Sequence, residues 1–410
     1  MLHRIHWLVV ALVCICLQVH GQTNPADSLA KKAAPTASKP ASSSKWYDKL
    51  SLRGYAQFRY NRLLETNPDL RCEQCDRSIG KGQTFSFRRA RLIFSGDVHE
   101  RLFAYIQFDY SADASATSKH FLQVRDAYFD WAMDKKKEYR LRIGQSKVPF
   151  GFENLQSSSN RIPLDRSDAL NSAAPNERDF GAFFLFAPEK IRELYRNLTN
   201  DALKGSGDYG IFAIGLYNGQ TTNRPEANDN LHAVARLTYP FKVGNQIIEP
   251  GIQAYTGQFT LLSTTKGVKT NSDLTYLDQR VAATVVLYQK PFGILAEYNV
   301  GKSPTFDPQT DSISVQKLSG GFITASYRTK LGKGAINPFA RYQVFDGAKK
   351  HEIDARKYKM NELEIGLEWL PIKNMEVTVS YVISNRKYWN YDTDYAEKGN
   401  FLRIQMQANY

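Results

Sequence analysis

The side chains with chemistry to offer are arginines set between apolar neighbours. Arg89 and Arg91 interleave with Ala90, Leu92 and Phe94, while Arg53 and Arg59 sit in the run from Leu52 to Tyr60. Arg140 and Arg142 repeat the pattern among Tyr139, Leu141 and Ile143. A period of two sends successive side chains to opposite faces of a strand, so one face is oily and the other carries guanidinium groups. Gathered around a narrow passage, such groups present planar donor forks that match phosphate or carboxylate oxygens, and they stay charged at any working pH. Anions would be favoured there over cations. For any one arginine the plain alternative is a solvated wall residue or a lipopolysaccharide contact near a rim. Conduction also needs release, so Asp109 and Asp126, with Arg53 and Arg59, are candidate modulators. Either acid could equally be an ordinary salt-bridge partner.

Other chemistries find less support. Cys72 and Cys75 form a C-x-x-C, but zinc would need two further ligands and no second pair exists, so a small loop disulfide is the favoured reading. The seven histidines are scattered without metal-ligand spacing. Ser157 to Ser159 lacks the strand-turn-helix context of a nucleophile elbow, and no glycine loop is built to cradle phosphates. The sequence therefore predicts neither an enzyme nor a metal or cofactor site.

Elements must position these arginines, and the alternation supplies them. About sixteen segments carry it: 51–61, 85–95, 101–110, 121–131, 138–146, 180–187, 208–217, 230–239, 248–259, 277–289, 292–300, 316–328, 336–345, 358–370, 374–384 and 399–410. Most are close to ten residues long, the length a tilted strand needs to cross a bilayer's hydrocarbon layer. Short links (96–100, 132–137, 290–291, 329–335, 371–373) fall between longer ones (62–84, 147–179, 260–276, 301–315, 385–398). Short turns at one rim and long loops at the other predict an outer-membrane β-barrel. The link 188–207 should be short and is not; either Glu189 to Leu198 forms a small helix or a strand is miscounted nearby. The last ten residues alternate to the end, and an aromatic terminus, Tyr410, suits an interfacial girdle where the last strand closes on the first.

Composition narrows the class. With 23% charged residues and 12% aromatics in 410 residues, the chain is too polar for a bundle of membrane helices. A net charge of +13 points to an anionic partner. Arg4 followed by an apolar run from Trp7 to Leu17 reads as a secretory signal over 1–21, too short to span a bilayer as a helix. Export excludes chromosomal DNA, so no nucleic acid is expected. Residues 22–45, rich in Ala, Pro, Ser and Lys, read as a disordered leader, and 46–410 as the barrel.

The stretch 84–186 adds a resemblance. Phe87-Arg88-Arg89-Ala90-Arg91-Leu92, Asp126-Ala127-Tyr128, Leu141-Arg142-Ile143-Gly144 with Pro149-Phe150-Gly151-Phe152-Glu153, and Arg178-Asp179-Phe180-Gly181 resemble, in order, the phosphate-selective porins O and P of Gram-negative outer membranes. That family implies a sixteen-stranded homotrimeric barrel with an arginine-lined constriction. Arg89 matches one constriction arginine. Arg166, in Leu164-Asp165-Arg166, matches a second on a long loop after the fifth strand that folds into the pore. Where the family has a third, in the first strand, this chain has Tyr55. Arg125 and Asp126 compete for the position of a family acid.

Together these readings predict an all-β transmembrane antiparallel barrel of about 16 strands, passing small anions, phosphate or polyphosphate foremost, through a constriction of Arg89, Arg91, Arg142 and Arg166. Its expected partners are those solutes, outer-membrane lipid and lipopolysaccharide, and two further copies of itself. The rival readings are a general diffusion porin with weak anion preference, an adhesin barrel acting through its loops, and a secreted soluble sandwich.

Overall fold

Alternating strands of this length can satisfy every backbone N–H and C=O in a lipid setting only by closing on themselves, because an open sheet edge would leave polar groups in hydrocarbon. The computed structural model closes them. It describes residues 46–70, 83, 85–112, 120–173, 178–388 and 395–410. The expected signal 1–21, the leader 22–45, and Cys72 and Cys75 lie outside the described residues.

The staves run β1 (Leu50–Leu63), β2 (Phe85–His99), β3 (Leu102–Ala112), β4 (His120–Ala132), β5 (Tyr139–Lys147), β6 (Arg178–Phe186), β7 (Phe212–Tyr217), β8 (His232–Thr238), β9 (Gln246–Thr260), β10 (Thr275–Leu287), β11 (Phe292–Asp307), β12 (Ser312–Tyr327), β13 (Gly334–Ala348), β14 (Lys357–Ile372), β15 (Met375–Tyr388) and β16 (Tyr395–Asn409). Two three-residue strands, Phe241–Val243 and Thr329–Leu331, prolong β8 and β12 against β9 and β13. Each stave pairs antiparallel with the next, and β1 pairs with β16 from Tyr55↔Asn409 to Leu63↔Leu402. The result is a closed barrel of sixteen staves.

The sixteen alternating segments each fall on one stave. The link 301–315, expected to be a long loop, is not one: β11 runs on to Asp307 and β12 starts at Ser312, leaving only a tight turn. Alternation lapses there because Ser303 to Phe306 are all buried, and a period-two pattern cannot register a stretch covered on both faces. The overlong link 188–207 does hold a helix, Glu189–Asn200.

The barrel is polar inside and oily outside. Gln57, Arg59, Arg89, Arg91, Arg280 and Arg341 are buried, whereas Leu52, Phe58, Val281, Val300 and Ile323 on the other parity are 47–61% exposed. A water-soluble sandwich would bury the second set, and a monomer in water cannot expose apolar surface over a whole wall. One arc departs from this rule. On β6 to β12 several inward residues are apolar, namely Phe183, Leu185, Ala213, Val234, Ala282 and Phe322, and they pack with Val148, Phe150 and Leu170 of the loop after β5. A hydrophobic core thus occupies this side of the bore.

Candidate functional site

The loop after β5 folds into the bore, and its first residues show how. Gly151 has φ +80, a left-handed backbone favouring glycine, and a Cβ there would lie 2.5 Å from Leu170 Cδ2. The turn aims two backbone N–H groups at the wall: Gly151 N donates to Gln253 Oε1 (3.1 Å) and Phe152 N to Glu297 Oε2 (2.7 Å). Phe150 meets Tyr255 edge to face at 4.8 Å. Glu153, fully buried, accepts from Ser167 N (2.8 Å) and pairs with Arg341 Nη1 (3.2 Å). Farther along, Arg280 donates to Ala169 O (2.9 Å), Ser172 Oγ (2.8 Å) and Ser172 O (3.0 Å). Apolar packing on one side and charge-assisted bonds to loop carbonyls on the other fix its position.

Asp165 ties the loop to both strands of the barrel's seam. Arg59 Nη1 reaches both its carboxylate oxygens at 3.1 Å, Arg403 Nη2 donates to Oδ2, and Arg59 Nη2 donates to Leu164 O at 2.6 Å. Burial alone would raise this carboxyl's pKa. The charges of Arg59, Arg403 and Arg88 outweigh burial and hold it well below the ordinary range.

All the arginines expected at the constriction point inward, but in two different settings. Arg89 Nη1 donates to Ser158 Oγ of the loop (2.9 Å), and Tyr55 OH shares that hydroxyl at 2.6 Å. Arg91 pairs with Asp109, Nε to Oδ1 at 3.3 Å, and lies over the Tyr55 ring at 5.7 Å. Arg166 donates to Gln156 O (3.3 Å); burial and then the like charge of Arg161 press its guanidinium well below the usual arginine range. Arg142 stands apart. It is forked onto Asp130 (2.7 and 2.8 Å) and stacked over Tyr128 (4.1 Å), so it belongs to the wall nearer the short-turn rim. Asp126 accepts from Arg178 Nε (2.9 Å) and Gln107 Nε2 (2.8 Å). Both candidate modulating acids are therefore salt-bridged inside the bore.

Two β-bulges supply what parity could not. Gln57 pairs with Arg89 but Phe58 with Phe87, so Arg88 is the extra residue; Gln107 pairs with Asp126 but Phe108 with Val124, so Arg125 is extra. A bulge resets the alternation and turns two successive side chains to one face. Arg88 joins Arg89 near Asp165, and Arg125 (Nε 3.8 Å from Asp109 Oδ2) joins Asp126. Arg125 and Asp126, the two candidates for the position of the family acid, both point inward, so parity does not choose between them. Lys147, whose Nζ donates to Leu155 O (2.8 Å) and Gln156 O (2.7 Å), and Arg178 complete the group. Both stand at strand ends beside the long loop, where alternation carries little information.

Below the loop lies a chamber of about 600 Å³ walled by Arg53, Tyr55, Tyr105, Tyr128, Arg142 and Arg178. Arg53 is exposed there and has no ion pair among the described residues. The segment after helix Glu189–Asn200 forms the opposite wall, held by Asp208 between Arg140 (2.6 Å) and Arg192 (2.8 Å) and by Gln156 Nε2 donating to Lys204 O (2.5 Å). Among the described residues no group of three or more His, Cys, Asp or Glu could hold a metal ion.

A closed sheet wet within and oily without belongs to the outer-membrane porins, and the protein is an outer-membrane channel of the Gram-negative type. The family model for phosphate-selective porin O and P matches residues 66–410, and the chain belongs to that family. Solved structures share the fold at low identity. The outer membrane channel DcaP of Acinetobacter baumannii aligns at 15% identity with a TM-score of 0.54, covering 88% of this chain and 97% of that one. An anion-selective porin from Comamonas acidovorans aligns at 11% identity and TM-score 0.51, covering 88% and 99%. OprB of Pseudomonas putida aligns at 8% identity and TM-score 0.52, covering 88% and 94%. A search of curated proteins found no match.

Proposed function

We propose that this channel passes small anions passively, inorganic phosphate or polyphosphate foremost, through an eyelet between the inserted loop and the β1–β5 arc. One observation carries the reading: Arg88, Arg89, Arg91, Arg125, Lys147, Arg166 and Arg178 form a chain of electrostatic neighbours, each beside at least one other, with Asp109 and Asp126 interleaved on the wall and Glu153 and Asp165 facing them from the loop. An anion entering gains several guanidinium donors and sheds little hydration unreplaced. The two wall acids compete for those donors and keep binding weak enough for release. Arg53 in the chamber below then draws the ion onward.

Tyr55 favours a second reading. By the resemblance it stands where the family has an arginine, and it contributes a neutral hydroxyl, which supports a broader anion pore in which phosphate is one substrate among several. Export through a cleaved N-terminal signal, assembly as a homotrimer and lipopolysaccharide contact complete the proposal, the trimer following from family membership.

Single-channel recording in a planar bilayer under a chloride gradient tests both. A reversal potential set by chloride, with chloride current blocked by low phosphate and block relieved in Arg89→Ala and Arg166→Ala, supports the phosphate eyelet. Chloride selectivity indifferent to phosphate supports the broader pore. Unselective current refutes the arginine eyelet, and absence of current would leave a barrel that works through its surface.

A further inference from the structure

The outer wall carries a feature that conduction does not use. On the arc β8 to β12 the lipid-facing side chains are small across a whole row: Ala235, Ala254, Val281, Val300 and Ser319 stand side by side in register. Small residues between larger ones hollow the wall into a groove of about 930 Å³. Below it, beside Ala283, Gly321 and Ile323, a second hollow of about 320 Å³ runs toward the middle of the wall. Together they offer a long apolar trough, open to the side, of a shape that takes acyl chains.

The extracellular end of the trough is charged. Lys302 on β11 and Lys317 on β12 are directly opposed across the ladder, both exposed, and both line the groove. Like charges directly opposite on one sheet face repel. Neither has an ion pair among the described residues; the nearby acid, Asp346, is taken by Lys357 (3.6 Å) and Lys359 (3.4 Å). The pair's height is informative. Phe292 pairs with Tyr327 at the short-turn end of the same two strands, ten residues from Lys302 and Lys317. Every outward residue between is uncharged: Ile294, Ala296, Tyr298 and Val300 on one strand, Ala325, Ile323, Gly321 and Ser319 on the other. At about 3.3 Å per residue and a tilt near 40°, ten residues rise ~25 Å, the height of a barrel's apolar band. The lysines therefore sit at the level of outer-leaflet headgroups.

We propose that this trough is a binding site for a phosphorylated, multiply acylated outer-leaflet lipid, its phosphate bridging Lys302 and Lys317 and its acyl chains lying along Ala254, Val281 and Ala283. An anion between the two ammonium groups removes their repulsion, and the trough supplies apolar contact that a smooth wall lacks. The site rests on the outer-membrane location but not on what the bore conducts.

The full-length protein in detergent micelles is titrated with diphosphoryl lipid A, and bound lipid is counted by native mass spectrometry. Phosphatidylethanolamine and inorganic phosphate are the comparison probes, and heat-modifiable gel mobility checks that each variant is folded. One diphosphoryl lipid should bind per barrel, on the order of tenfold or more tighter than phosphatidylethanolamine. Lys302→Gln with Lys317→Gln should abolish the preference, and Ala254→Phe, which fills the trough, should weaken binding with the lysines intact. Equal binding of both lipids, binding untouched by the lysine double variant, or binding untouched by Ala254→Phe would overturn the proposal. So would competition by millimolar inorganic phosphate, or disulfide cross-linking between copies through Ala254→Cys, which would make the trough a subunit interface.

Discussion

Arg59 Nη1 lies 3.1 Å from both carboxylate oxygens of Asp165, fastening the first stave to a loop that begins more than eighty residues later in the chain. Arg403 on the last stave donates to the same carboxylate, so the contact straddles the seam where the barrel closes. Replacing Asp165 with Asn keeps the shape and removes the charge. Breaking a buried pair costs roughly 3–5 kcal/mol, and with the Asp165 side chain 23% exposed the lower end applies. That cost falls on the loop's seat, since the ladder hydrogen bonds of the barrel are untouched. Single-channel records of Asp165→Asn should show larger open-channel noise and a stronger anion preference, because the charges of Arg59 and Arg403 are no longer offset by this carboxylate. The barrel's thermal transition should stay where it is; a lower transition would mean that Asp165 holds the barrel and not the loop.

The same pair sets a pH limit. The folded-state pKa of Asp165 is depressed well below its ordinary value, so its stabilisation is fully present above about pH 4 and is lost as pH falls through the folded-state value. Current noise and anion selectivity should be flat from pH 7 to about pH 4 and change only in more acid solution. Asp165→Asn should show the acid behaviour at neutral pH. A noise transition between pH 5 and 7 in the wild-type channel would assign gating to another group.

Arg53 tests whether the chamber, and not the eyelet alone, contributes to selectivity. It lines the chamber without an ion pair among the described residues, so its charge acts on passing ions unneutralised. Arg53→Glu changes the local charge by two units in a wide, wet space. Screened Coulomb interactions over several ångströms then predict a fall in the chloride-to-potassium permeability ratio of about two- to threefold at 0.1 M salt, and less at 1 M. Reversal potentials of the variant and the wild-type channel at the two salt concentrations measure it; no difference between the two proteins at 0.1 M would place selectivity in the eyelet alone.

The strands were legible because each is a repeated binary signal, and the inward set Tyr55, Gln57, Arg59 follows from Leu52 to Tyr60 without further information. The pattern failed where one residue is inserted. Arg88 and Arg125 sit in bulges, and a bulge is defined by pairing with a partner strand that a linear pattern does not contain. The loop's path was legible only through resemblance, since its seat depends on Gln253, Glu297, Arg341 and Arg403, which lie a hundred or more residues away. Arg142 had the right parity, but its height in the bore is set by pairing with Asp130 near the short-turn rim.

Tyr410 and Gly54 form the closing latch. Gly54 N donates to Tyr410 O (2.7 Å), Tyr410 N to Gly54 O (3.0 Å), and Tyr410 OH to Arg91 O (3.1 Å). A Cβ on residue 54 would stand 2.5 Å from the Tyr410 ring, which covers the bare glycine as aromatic residues do in strands. Tyr410→Phe should lose about 1 kcal/mol with the hydroxyl and Tyr410→Ala about 2 kcal/mol with the ring, read as a graded fall in the temperature at which the folded gel band disappears. Gly54→Val should fold worse than either. Equal behaviour of Phe and Ala variants would show that the ring contributes nothing to closure.

The helix Glu189–Asn200 makes the final case, because a short turn would suffice to join β6 to β7. Its inner face packs Tyr195, Leu198 and, just beyond, Leu203 against Phe152, Ile247 and Tyr288, and Arg328 holds its end through Asp201 O and Ala202 O, both at 2.8 Å. The following residues, Gly205 to Tyr209, wall the chamber. Replacing 189–207 with a tight turn removes that wall and the hydrogen bonds from Gln156 to Lys204 O and from Asn160 to Gly205 O, which support the inserted loop from below. Conductance should therefore rise, because the exit widens, and open-channel noise should rise with it, because the loop loses two carbonyl partners. A double comparison separates the effects: Asn160→Ala with the helix intact should raise noise but leave conductance near its original value. If the shortened variant keeps the original conductance, the resistance of the pore lies wholly at the eyelet and the helix serves only to brace the loop.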